Sequence, residues 1–71
     1  MFNYTHFSKR LQATRINYSL TIESLSKLTG IPAATLQGYE SQSMIVDIED
    51  LVKIADVFDV SLDYIVRQSI P

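Results

Sequence analysis

Apolar positions recur every three or four residues along most of the chain, the period of helices that bury one face. From about Thr5 to Asn17, Phe7, Leu11 and Ile16 set an apolar stripe, with Lys9, Arg10 and Arg15 around the rest. Thr21 suits the N-cap of a second helix, with Glu23 in its first turn and Leu25 and Leu28 facing inward. Gly30 suits a left-handed residue closing that helix. Pro32 falls where a third helix begins, and Leu36 and Tyr39 are its inward residues. Ser41, Gln42 and Ser43 form a polar break. Asp47 then reads as an N-cap, with Asp50 echoing a capping box, ahead of the stripe Ile48, Leu51, Ile54, Ala55 and Phe58. Ser61 caps a short last helix carrying Leu62, Ile65 and Val66. No long stretch alternates apolar and polar residues, so strands are not expected. The prediction is an all-α, compact bundle of five helices in one domain over 1–71.

Composition narrows this picture. Seventy-one residues make one domain, which buries only about 60% of its unfolded surface. A hydrophobic share of 46%, with three Phe and four Tyr, can supply the core. There is no Cys, which excludes disulfides and thiolate chemistry. Apolar runs fall far short of the roughly 20 residues that span a bilayer, and the first ten residues lack a signal-peptide layout. The expectation is a complete, soluble, cytoplasmic protein with no membrane partner. No phosphate-cradling loop, metal-ligand cluster or nucleophile–base pair is visible, so neither an enzyme nor a cofactor is expected, nor a small-molecule substrate. His6 stands alone and reads as a surface or cap residue. Tyr4, Tyr18 and Tyr64 read as partly buried packing residues rather than base-stacking platforms.

The two helices around Gly30 and Ile31, about residues 21–40, have the spacing of a helix-turn-helix. The run Leu20-Thr21-Ile22-Glu23-Ser24-Leu25-Ser26-Lys27-Leu28-Thr29-Gly30-Ile31, the pair Tyr39-Glu40 and the run from Leu51 to Ile65 together resemble the phage repressor and Cro-type helix-turn-helix family. The match covers roughly residues 7 to 66. It implies the five-helix lambda-repressor-like fold, a structural ion pair between Arg15 and Glu40, and a third helix that reads DNA. The chain is also similar to the modulator-of-repression proteins, the antirepressors of temperate phages of lactic bacteria.

Departures from the family pattern fall on the DNA-reading face. The family usually opens helix two with a phosphate-binding Gln; here Ile22 stands there. The first base-reading positions hold Ala33 and Ala34, and a later one holds Gly38, leaving Thr35 and Gln37 as polar contacts. A good bidentate base contact is worth about 1–3 kcal/mol, which alanine cannot supply. The following loop reads Gln42, Ser43, Met44, Ile45, Val46, Asp47, and no Lys or Arg lies between Leu28 and Val52. That stretch carries Glu40, Asp47, Glu49 and Asp50, and the net charge is −2. Phosphate binding needs cations.

Two functions therefore stand open. In the first, the chain is an antirepressor. Ala33, Ala34 and Gly38 allow close approach to a repressor's N-terminal DNA-binding domain, with Gln37 also on the contact face. Met44, Ile45 and Val46 form the apolar centre, and Glu40, Asp47, Glu49 and Asp50 pair with the partner's cations. In the second, it is a Cro-like operator binder, reading bases with Thr35 and Gln37 and holding phosphates with Lys9, Arg10, Arg15 and Lys27. A combination, with DNA bound weakly and only beside the partner, is also consistent. Each residue has a structural alternative. Met44, Ile45 and Val46 could pack beneath the loop against Ile48 and Leu51, although not all three at once. Asp47 and Asp50 could serve only as caps, and the basic residues of helix one could form a solvated face.

Overall fold

A computed structural model describes residues 4–66, without the side chain of Val66. The elements are α1 (Tyr4–Asn17), α2 (Ile22–Thr29), α3 (Ala33–Glu40), α4 (Ile48–Phe58) and α5 (Leu62–Val66). Among the described residues there is no strand. Several boundaries have a local cause. The Thr21 hydroxyl accepts from the Ser24 N–H, the Asp47 carboxylate from the Asp50 N–H, and the Ser61 hydroxyl from the Tyr64 N–H. These satisfy helix-start donors that have no partner within their own helix. At the other end of α2, Gly30 adopts φ 78° and returns its N–H to the Ser26 carbonyl.

Phe7, Leu11, Leu25, Ile31, Leu36, Tyr39, Val46, Leu51, Ile54, Phe58 and Ile65 form one core, with Leu20, Ile22, Val57 and Val60 packed on it. α1 packs against α3 and α5, α2 against α3 and α4, and α4 against α5. Edge-on aromatic pairs join distant segments: Phe7 with Tyr39 at 6.3 Å, and Tyr18 with Phe58 at 5.1 Å. Tyr18 is exposed yet still packs, because its hydroxyl donates to the Phe58 carbonyl at 2.9 Å. Tyr4 and Tyr64, expected to be partly buried, are exposed as well.

Three apolar residues expected inside lie outside. Ile16, Leu28 and Ile48 are exposed. On α1 the buried face is Phe7, Ser8, Leu11 and Thr14, so the stripe ends before Ile16. On α2 it is Leu25 and Thr29, one turn apart. Thr29 can be buried because its hydroxyl donates to the Leu25 carbonyl and accepts from the Ile31 N–H, and Leu28 is turned to solvent. At the start of α4, Val46 from the preceding loop is in the core and Ile48 is not. On α5, Leu62 is exposed and Ile65 is buried; the side chain of Val66 lies outside the described residues.

Candidate recognition interface

α2 and α3 are joined by a turn that side chains hold closed. Ser26 donates to the Ile31 carbonyl at 2.5 Å, and Thr29 accepts from the Ile31 N–H at 3.2 Å. Ile31 itself is buried. α3 is thus fixed against α2, with Leu36 and Tyr39 turned into the core. Its outward residues include Ala34 and Gln37, both exposed, with Ala33 and Thr35 half-buried. α3 starts after Pro32 with no side-chain cap.

The C-terminal end of α3 is tied down from three sides. Arg15 of α1 grips Glu40 with both arms, Nε to Oε2 at 2.7 Å and Nη2 to Oε1 at 3.1 Å. Its remaining nitrogen donates to the Leu20 carbonyl at 2.8 Å. The hydrogen bond to Glu40 holds the Arg15 guanidinium above its already high usual pKa, outweighing the opposing effect of burial. Ser8 donates to the Tyr39 carbonyl at 2.6 Å. The Tyr39 hydroxyl donates to Asp50 Oδ2 at 2.6 Å, joining α3 to α4. Burial, and then this bond to a carboxylate, push the Tyr39 phenol well above its usual value.

These ties decide which predicted site residues reach the surface. Glu40 is occupied by Arg15, and Asp50 is half-buried and engaged by Tyr39. Val46 is in the core, and Gly38 is buried beneath the Met44 side chain. The exposed set is therefore smaller than the sequence suggests: Ala34, Gln37, Met44, Ile45, Asp47 and Glu49. Ile48 joins it, 64% exposed beside Ile45 at 74% and Met44 at 46%. Sequence reasoning missed Ile48 because its spacing to Leu51 and Ala55 fits the buried stripe equally well. It also missed the Tyr39–Asp50 bond, for which no local pattern exists.

The cations lie outside residues 28–52. Lys9, Lys27 and Lys53 are exposed, Lys53 one turn beyond Glu49 on α4. Arg10 is drawn to α5, with its guanidinium 4.3 Å from the Tyr64 ring centre, a bond to the Tyr64 carbonyl at 3.0 Å and a contact to His6 Nε2 at 3.3 Å. That placement makes Arg10 part of the α1–α5 junction. Among the described residues no group of three His, Cys, Asp or Glu could hold a metal ion, and no helix is long and apolar enough to cross a membrane.

Among the described residues, five helices with α2 and α3 locked across a tight turn define a helix-turn-helix domain. The chain belongs to the helix-turn-helix family, whose model matches residues 11–65. It is 37% identical over 59 residues to an uncharacterized HTH-type transcriptional regulator, YobD, of Bacillus subtilis (strain 168). That match takes in 83% of this chain, which spans about half (53%) of the relative's length. The fold is similar to that of the restriction-modification controller protein C.AhdI from Aeromonas hydrophila, with a TM-score of 0.82 and 24% identity over 87% of this chain and 94% of that one. It is equally similar to the P22 c2 repressor in complex with a synthetic operator, TM-score 0.82 and 19% identity over 89% and 96% of the two chains.

Proposed function

We propose that the chain is a transcriptional regulator that acts as an antirepressor, seating the edge from Met44 to Glu49 on the cationic DNA-binding surface of a repressor. One observation carries this reading. The segment after the recognition helix exposes Met44, Ile45 and Ile48 beside the carboxylates of Asp47 and Glu49, with no cation from Leu28 to Val52. A polyanion gains nothing from such a face, because phosphate affinity comes from neutralising cations. A basic protein surface gains both terms: apolar burial at the centre and opposite charge at the rim. The charges mainly speed encounter and select the partner, while the apolar residues hold it.

The experiment mixes the chain with a helix-turn-helix repressor from the same genome and that repressor's operator, then measures operator occupancy. Occupancy should fall as the chain is added, with a chain–repressor complex forming. Unchanged occupancy at excess chain, with no complex, rejects the reading.

A second reading has its own support. The family and the P22 c2 repressor, whose structure was solved with operator, favour direct operator binding by a Cro-like protein. Ala34 can meet a thymine methyl and Gln37 an adenine edge, with Thr35 partly covered. Lys9 and Lys27 are exposed for phosphates, whereas Arg10 and Arg15 are engaged within the fold. Gel shifts across salt separate the two. Tight binding of operator by the chain alone, falling steeply with salt, selects the Cro-like reading.

A further inference from the structure

Gly38 lies on the outer side of α3. Ala34, one turn earlier, Gln37 beside it, and Ser41 beyond it are all exposed, yet Gly38 is buried. Its cover comes from the loop rather than from the core. A Cβ at position 38 would lie 2.5 Å from Met44 Sδ, 2.6 Å from Cγ and 3.2 Å from Cβ. Only glycine leaves room for that seat. The chain is folded back to make it: Ser43 N and Met44 N both donate to the Gly38 carbonyl, at 2.9 and 3.2 Å. Met44 is still 46% exposed, so it lies across α3 as a surface layer.

We propose that Met44, seated on Gly38, is the specificity-determining residue of this face. A recognition helix reads bases by laying its outer side into a groove about 12 Å wide, barely wider than the helix itself. A methionine laid over that side thickens it from Gly38 onward and keeps a duplex from closing on it. The same side chain extends the Ile45–Ile48 edge into one apolar surface that a protein can bury. An unbranched thioether suits this place, since it adapts to the notch below and the partner above. The second half of the proposal rests on the protein-binding reading; the first half does not.

The test is a double-mutant cycle with Gly38→Ala, Met44→Ala and both together. Each is titrated against a helix-turn-helix repressor from the same genome and against that repressor's operator duplex, with a thermal melt to confirm folding. Gly38→Ala unseats Met44, so each single change should weaken repressor binding by at least about tenfold, and the double no more than either alone. With the Met44 side chain gone, the methyl added by Gly38→Ala should fit, and the double mutant should melt higher than Met44→Ala. Met44→Ala should bind operator more tightly than the parent, by a fewfold. Additive losses toward the repressor, or a Gly38→Ala chain that binds it like the parent, overturn Met44 as the selector. A parent that binds operator and not repressor rejects the antirepressor reading alone; Met44 is then judged by the duplex, and unchanged operator affinity in Met44→Ala overturns it. A parent that binds neither rejects the antirepressor reading, and a Met44→Ala chain that still binds no operator then overturns Met44 as well.

Discussion

The Tyr39 phenol is buried and donates its proton to Asp50, so the fold resists its ionisation. An unfolded phenol ionises near pH 10, and the folded one only at higher pH. Above about pH 10 the native state therefore binds more protons than the unfolded state, and stability falls as pH rises from there. Below that point the contribution is intact. Tyr39→Phe should cost about 1–2 kcal/mol at neutral pH, because Asp50 loses its donor in a half-buried place, and should flatten the alkaline decline. Denaturant unfolding of both proteins at neutral and alkaline pH checks it. The Arg15–Glu40 pair works on the same helix end, with side chains only 14% and 9% exposed. Arg15→Ala leaves a largely covered carboxylate without its two donors and should cost about 1.5–3 kcal/mol in the same assay. A cost near zero would mean that water replaces the guanidinium freely.

At the scale of elements, three helix starts were legible because each is encoded by one oxygen-bearing side chain next to the turn it caps: Thr21, Asp47 and Ser61. Gly30 was legible for its backbone, since φ 78° disfavours any side chain. The inward faces were read less well, because periodicity counts only apolar residues. Ser8, Thr14 and Thr29 are buried, and a hydroxyl enters the core when a nearby carbonyl accepts its proton, as for Ser8 and Thr29, a fact invisible in spacing. Exposure was read unevenly for the same reason: Asp47, Glu49, Met44 and Ile45 are exposed as expected, Glu40 pairs with Arg15 as the resemblance implied and Val46 takes the packed alternative, whereas Ile48 was expected in the core and Gly38 on the surface. Asp47 holds two roles that mutation can separate. Asp47→Ala should cost about 1 kcal/mol by removing the cap, whereas Asp47→Asn keeps the cap and removes the charge. Under the antirepressor reading, Asp47→Asn should weaken repressor binding at nearly unchanged melting temperature. Equal binding by Asp47→Asn and the parent would leave Asp47 a cap alone.

At the scale of the molecule, charge is divided: Arg10 and Arg15 are committed within the fold, and the edge beyond α3 is acidic and apolar. Under the antirepressor reading, association with a basic repressor should slow as salt rises, while the dissociation rate, governed on that reading by Met44, Ile45 and Ile48, should change little. Stopped-flow mixing across ionic strength measures both rates, and a salt-independent association rate would remove the electrostatic part of the model. The architecture also has room for improvement away from that edge. The first four helices are each followed within two residues by a left-handed residue, yet only Gly30 is a glycine; Ser19, Gln42 and Asp59 adopt φ 58°, 65° and 56°. A side chain in that region carries a steric penalty that glycine escapes, although glycine also loosens the unfolded chain. Gln42 accepts a bond from Thr5, but Ser19 and Asp59 sit at junctions remote in sequence from the 41–47 loop. Ser19→Gly with Asp59→Gly should therefore raise the melting temperature while leaving repressor affinity unchanged. A protein this small thus holds an untapped thermal reserve in its corners, one that a hardier variant could draw on without any redesign of what it recognises.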